Sequence, residues 1–331
     1  MPRSVRIAFL IAVGGIIVLP AAAPAARPRV VILANNSGAE TTDLLTPFAI
    51  LTDANVADVS IVAVAPGPVA LMPGLTILPD TTLAEVATPP DVVIIPAMHD
   101  PTAAPLLEAV RAWAAGGALM VSICEGARVL ANAGLLEGRR ATSHWYAIPS
   151  LRKAFPHTVW QQDVRWVRDG NVITSAGVSA SEPLARHLAG LLHGDDGGSR
   201  DGDGPAHDGA SFAVSARDVA TGALNYLSPW RWDVVAIGLR DGVDEIALSV
   251  GVDLLARTYA VRTVTFAATS PVRGRRGLRL IPDVIGAKPP ADRVARLEMP
   301  DVDALLADIE QRYGAATRSL VALQIEYPSG R

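Results

Sequence analysis

A single cysteine stands among 331 residues, so no disulfide can close within the chain, and Cys124 is either a free thiol or an intermolecular one. Aromatic residues are scarce, at 5%, while Ala and Val abound, a balance that fits a parallel sheet of apolar strands under Ala-rich helices. No run of Lys and Arg occurs, and a net charge of −4 is spread over both signs. That excludes the basic footprint a nucleic acid requires. Apolar residues are not lacking. At 50% hydrophobic, the chain can build one large or two medium cores, and disorder is not its default state.

The N-terminus reads differently from the rest. Arg3 and Arg6 precede an apolar run from Ile7 to Leu19, and small residues follow through Ala26, the layout of an export signal cut after Ala25. The same stretch approaches the ~20 residues that span a bilayer, although Gly14, Gly15, Pro20 and Pro24 weaken such a helix. Residues 1–26 are therefore expected to be a signal peptide or a membrane anchor, placing the rest outside the cytoplasm.

From Arg29 short apolar runs alternate with helix-period segments, as in βαβ units. Val30 to Ala34, Val59 to Val64, Asp91 to Ile95 and Ala118 to Ile123 read as strands. Thr41 to Asp53, Pro105 to Ala115, Glu125 to Asn132 and Glu182 to Leu192 read as helices. Val69 to Leu78 reads as a ribbon about Pro73-Gly74, and Asp169-Gly170 as a two-residue hairpin turn. The expected fold is α/β, a flavodoxin-like doubly wound parallel sheet over residues 29–193.

The Gly- and Asp-rich stretch 194–210 has almost no apolar content and reads as a flexible linker; its Asp residues lack the Glu that would complete a Ca²⁺ loop. Beyond it, over 211–331, the pattern of the first half recurs. Val234 to Leu239 matches Val31 to Asn36, Gly242-Val243-Asp244-Glu245 matches Gly38-Ala39-Glu40-Thr41, and Gly277 to Asp283 matches Gly74 to Asp80. The helix Val302 to Tyr313 and the apolar run Ser319 to Ile325 parallel Pro105 to Ile123, but no second Cys follows. The second half is thus expected to be a truncated, chemically silent partial repeat. Its open sheet edge should be covered by the first domain or by another subunit of a homodimer.

Ser122-Ile123-Cys124-Glu125-Gly126-Ala127 lies where an apolar strand gives way to a helix, which is where a doubly wound sheet places its ligand sites. Such a turn pushes a side chain out of the sheet top, and Gly126 permits close backbone approach. The N–H groups of the following helix are expected to lower the thiol pKa. The other reading is a small buried hydrophobe.

The segment from Ser122 to Trp145, with Thr142-Ser143-His144-Trp145 closing it, resembles the nucleophile segment of the DJ-1/PfpI superfamily (ThiJ, class I glutamine amidotransferase-like). It is closest to the branch of isonitrile hydratases and the amidase-like domains of AraC-type regulators. Asp169 to Ala180 is similar to that branch's closing segment, and Asp43-Leu44-Leu45-Thr46-Pro47 to its acid-then-proline segment. The resemblance covers about Arg29 to His193. It implies Cys124 as nucleophile, Asp43 as the acid beside the sulfur, and His144 as the histidine near it. Glu40 is expected to face solvent or to serve as a helix N-terminal charge, and His144 to serve either the cysteine or a backbone carbonyl. Where relatives carry Pro-Gly-Gly for a developing negative charge, this chain has Pro96-Ala97-Met98, so the backbone of Ala97 and Met98 is the expected oxyanion position, with Glu125 beside it. No cofactor or metal is implied.

Two functions follow: a cysteine-dependent hydratase-like lyase acting on a small neutral electrophile, or a module that binds a small ligand or senses oxidant through Cys124. Regulation of transcription needs a helix-turn-helix domain, and the second half repeats the first instead.

Overall fold

The run Arg29–Ala34 (β1) is apolar on both faces, and it is buried on both faces, between two strands that run parallel to it. The structure is a computed structural model that describes residues 26–194, 203–206, 212, 214–295, 297 and 301–327. The expected export segment falls outside the described residues except for Ala26. Among the described residues, no helix is long and apolar enough to cross a membrane.

After β1 come the helix Thr41–Ala54 (α1), the strand Asp58–Ala63 (β2), and the ribbon of Val69–Met72 (β3) and Leu75–Leu78 (β4). Then follow Val92–Ile95 (β5), the helix Ala104–Ala115 (α2), Leu119–Ser122 (β6), the short helix Ala127–Asn132 (α3), Trp166–Asp169 (β7), Val172–Ser175 (β8) and the helix Ser181–His193 (α4). The main sheet runs β7-β8-β6-β5-β1-β2, with Thr81–Thr82 at its far edge. Its five long parallel strands stand in the order 2-1-3-4-5, the flavodoxin-like arrangement, and β7 is antiparallel at the edge. The turns agree with the sequence: Gly74, Gly117 and Gly170 all have positive φ, a backbone that glycine adopts freely.

The second half contributes the helix Ala216–Tyr226 (α5), Asp233–Gly238 (β9), the helix Glu245–Ala256 (α6), Val261–Ala267 (β10), Val272–Arg273 (β11), Arg279–Ile281 (β12), and the helices Val302–Tyr313 (α7) and Ala315–Gln324 (α8). Strands β9 and β10 are parallel, flanked by Val284–Ile285 and Arg293–Ala295. The apolar run Ser319 to Ile325, expected as a strand by its parallel with the first half, lies in α8 and its C-terminal turn. Ala315, Ala316 and Arg318 before it and Leu320, Ala322 and Leu323 within it are helix formers, and the helix packs on α7 rather than entering a sheet.

The two halves share one core. Leu44, Leu45 and Ile77 join Leu248, Val252 and Leu280 in a single apolar cluster, and α1 packs along α6. The ribbons fuse into one sheet, with β12 antiparallel to β4 and Leu280 opposite Ile77, residues the sequence alignment also pairs. The aligned acids behave alike: Asp80 accepts from the Ile61 N–H at 2.8 Å and Asp283 from the Thr265 N–H at 2.8 Å. Of the expected linker, Asp203–Ala206 is not free of the fold. Gly204 N–H donates to Trp166 O at 2.7 Å, Pro205 O accepts from Arg165 N–H, and Asp203 pairs with Arg140 at 2.6 Å. These residues lie along β7 because an edge strand offers unpaired backbone groups that a polar segment can satisfy.

Candidate functional site

Three loops leave the C-terminal ends of β1, β5 and β6 and meet at Cys124. Ile123 still belongs to the sheet, its N–H donating to Ile95 O at 3.0 Å. The next residue turns sharply, because Cys124 has φ +55°, a left-handed backbone uncommon outside glycine. The surroundings hold it there: its N–H donates to Ala176 O at 3.1 Å, and its carbonyl accepts from Ser143 Oγ at 2.8 Å. A β-carbon on Gly126 would lie 2.1 Å from Ile95 O, so this turn can press against β5 only with glycine at that position. Cys124 is 7% exposed.

The thiol opens into a cavity of about 450 Å³. Its inner wall comes from the first half: Glu40, Ala97, Cys124, Glu125 and His144. Its outer wall comes from the second: Val219 and Gly222 on α5, Arg257 and Tyr259 after α6, and Leu320, Leu323 and Gln324 on α8. The second half therefore lines the candidate site. It closes the site, because packing α6 on α1 carries the end of α6 to the sheet top.

Both acids are buried, and Glu40 takes the helix N-terminal place that was one of its two expected roles. Glu40 caps α1, its Oε2 accepting from the Asp43 N–H at 2.5 Å, and it is buried on the cavity wall rather than turned to solvent. Asp43 sits behind it, fully buried, accepting from the Ala97 N–H at 3.2 Å and from the Ser181 hydroxyl at 3.4 Å. Among the described residues, no hydrogen bond joins Asp43 to the Cys124 sulfur. The capping residue is extended, at φ −68° and ψ 132°, so its side chain does not follow the helical phase that assigns Glu40 to the surface.

Arg257 binds this acid cluster, 3.0 Å from Glu40 and 2.7 Å from Asp253. Thr42 reaches the other Asp253 oxygen at 3.4 Å. Burial pushes the Glu40 carboxyl well above its ordinary range, aided by the charges of Asp43 and Asp253 and opposed by Arg257. Burial likewise lifts Asp43 to about 7, against the Ala97 N–H and Arg257, which favour its ionised form. Cys124 moves opposite to the helix-end expectation. Burial first, then the charges of Asp43, Glu125 and Glu40, raise its thiol well above the usual value. The helix behind it has six residues, Ala127–Asn132, a weak dipole against that many acids.

His144 does not bond the sulfur. Its Nε2 lies 3.0 Å from Gln324 O, and since a carbonyl only accepts, Nε2 carries the proton; Nδ1 accepts from the Tyr146 N–H at 3.3 Å. Both ring nitrogens are thus engaged in fixing the loop. Glu326 holds the same loop, accepting from the Trp145 N–H at 3.1 Å and the Gly177 N–H at 2.8 Å. Of the expected oxyanion donors, Ala97 lines the cavity but its N–H is directed at Asp43. Met98 is buried in the core cluster around α2 and α3 and does not line the cavity. Glu125 lines it and pairs with Arg128 at 2.5 Å.

Sequence reasoning missed Arg257, Asp253, Tyr259, Gln324 and Glu326. One signal was available: Asp253 and Arg257, one turn apart, stand in the last turn and at the end of a largely apolar helix whose faces all look buried.

The DJ-1/PfpI family model matches residues 28–190, so the second half lies outside the matched segment. An isonitrile hydratase of Pseudomonas putida is 34% identical over 163 residues, 46% of this chain and 68% of that protein. The HTH-type transcriptional regulator CdhR of Pseudomonas aeruginosa is 36% identical over 131 residues, 39% of this chain and 38% of the regulator, so the chain spans well under half of that relative. Among solved structures, Drosophila melanogaster DJ-1beta aligns over 51% of this chain and 92% of its own, with 26% identity and a TM-score of 0.47.

Proposed function

This chain belongs to the DJ-1/PfpI family, and from that membership we propose that it is a cysteine-dependent hydratase-like enzyme acting on a small neutral electrophile such as an isocyanide. One observation carries the reading: a thiol on a left-handed backbone turn in the wall of a cavity of about 450 Å³, with one carboxyl, Glu40, on the same wall and a second, Asp43, buried beside it. A neutral thiol becomes nucleophilic by giving up its proton as it attacks, and a carboxylate with a pKa near 7 is a fitting acceptor.

In this scheme sulfur bonds to the isocyanide carbon while its proton passes to the carboxyl pair and on to that carbon, giving a thioimidate. Water then adds to the same carbon, the C–S bond breaks, and the N-substituted formamide leaves with the thiol restored. Arg257 keeps the acid pair from accumulating charge, and His144 fixes the wall.

The test is conversion of a simple isocyanide to its formamide. Cys124→Ala should abolish it, and Glu40→Gln and Asp43→Asn should each lower kcat by about 10²–10⁴-fold. Rates equal to the Cys124→Ala control across several isocyanides would refute the reading. A second reading, ligand binding without turnover, is favoured by the Ala97 N–H, which is given to Asp43 rather than to a developing negative charge.

We also infer that the second half is a partial repeat of the first that packs against it. The pairing of Leu280 with Ile77 and the matched roles of Asp80 and Asp283 support this.

A further inference from the structure

Helix α5 covers the outer side of the cavity and is firmly fixed at both ends. Ser215 and Asp218 cap its start reciprocally, and near its end Asn225 Nδ2 donates to Thr258 O at 2.8 Å and to Thr317 Oγ1 at 3.1 Å. Midway along it stands Gly222, a residue that weakens a helix interior. Neither backbone nor packing requires glycine there. Its φ is not in the left-handed region, and a β-carbon would meet Leu320 Cδ2 at 3.5 Å and Tyr259 Cδ2 at 3.7 Å, ordinary van der Waals contact. What a larger residue would occupy is the cavity.

Each carboxyl and guanidinium on the cavity wall already has a partner, and protons make up what Arg257 alone cannot supply to Glu40, Asp43 and Asp253. Glu40 faces Arg257, Glu125 faces Arg128, and Asp218 caps its own helix. An ionic ligand of either sign would find no free partner and would lose its hydration. The rest of the wall is largely apolar or aromatic, with Trp145, Val219, Tyr259, Leu320 and Leu323, and its one amide, Gln324, already accepts from the Tyr259 hydroxyl at 3.1 Å.

We infer that this site takes a neutral molecule with a bulky aromatic or branched apolar body, its electrophilic carbon toward Cys124, and that Gly222 sets the size of body admitted. The inference rests on the proposed cysteine chemistry for its electrophile but not for its body or charge. A cavity of about 450 Å³ is of ligand size, far larger than a methyl isocyanide needs.

The test compares methyl, benzyl and carboxymethyl isocyanides on the wild type, Gly222→Ala and Gly222→Leu. In the wild type, kcat/KM for the benzyl substrate should exceed that for the methyl one by at least about tenfold, with the carboxylated one poorest. Gly222→Ala should melt higher, showing that the helix tolerates a side chain. Gly222→Leu should lose about tenfold or more on the benzyl substrate and much less on the methyl one. An unchanged benzyl-to-methyl ratio in a cooperatively melting Gly222→Leu protein would overturn the inference, as would equal use of the carboxylated substrate.

Binding separates this from the chemistry. N-benzylformamide titrated into Cys124→Ala, followed by tryptophan fluorescence, should bind and should be weakened by Gly222→Leu. Binding without turnover in the wild type would uphold the ligand class and refute the hydratase reading, whereas no binding would sink the class.

Discussion

The Arg257 guanidinium lies 3.0 Å from the Glu40 carboxylate, joining residues 217 positions apart across the two halves of the chain. Its other contact, 2.7 Å to Asp253, stays on its own helix. One cation thus serves three buried acids, Glu40, Asp43 and Asp253, and the balance governs both the thiol and the fold. A buried carboxylate is tolerable only when paired or protonated, so protons replace the missing cations.

Arg257→Met should therefore destabilise the protein by about 3–5 kcal/mol, the usual cost of stranding a buried charge. Arg257→Lys should recover only part of this, since a point-like ammonium cannot fork to two acids. Urea midpoints measure both. The loss should shrink at low pH, where protonation neutralises the stranded acids. A pH-independent loss would mean that Arg257 acts through packing alone.

The thiol should be sluggish. Burial and three neighbouring acids hold Cys124 above the usual value, so iodoacetamide alkylation should rise with a midpoint above the ordinary ~8.5. Glu125→Gln should lower that midpoint by removing one of the charges. Mass spectrometry of the single cysteine reads this directly. A midpoint below ~8 would restore the helix-end account.

The sequence made the elbow legible because its requirement is local: Cys124 needs a turn and Gly126 a bare backbone, both written within six residues. The parallel sheet was equally legible from apolar runs bounded by Pro and Gly, as at Val92–Ile95. Glu40 was read as facing solvent or as a helix N-terminal charge, and the second holds: it caps α1, but because α1 is buried all round, between α4 and α6, the cap lies inside the fold. The pairing of Arg257 with Glu40 was invisible for another reason. Its partner lies in the other half, and an ion pair at that separation leaves no periodic trace. His144 was read as bound either to the sulfur or to a backbone carbonyl, and only the folded second half supplies that carbonyl, from Gln324.

The shared sheet gives a further expectation. Leu280 and Ile77 are opposite one another and fully buried, so Leu280→Ala should cost about 2–5 kcal/mol although it lies outside the family-matched segment. For the same reason residues 211–331 expressed alone should not melt cooperatively, since β12 would lose its partner strand and α6 its cover. A soluble, cooperatively unfolding fragment would show that the halves are independent.

Asp43 provides the sharpest pH test. Its carboxyl is held at about 7 in the fold against roughly 3.9 unfolded. Below about 4 both states are protonated and the group contributes nothing. Between about 4 and 7 the folded state keeps a proton that the unfolded state has released, so stability falls as pH rises. Above about 7 the full cost remains, on the order of a few kcal/mol. Asp43→Asn keeps an oxygen for the Ala97 N–H but cannot ionise. It should therefore melt higher than the wild type at pH 8 and converge with it near pH 4. Equal melting at both pH values would mean that Asp43 is ionised and compensated in the fold, leaving Glu40 to hold the proton alone.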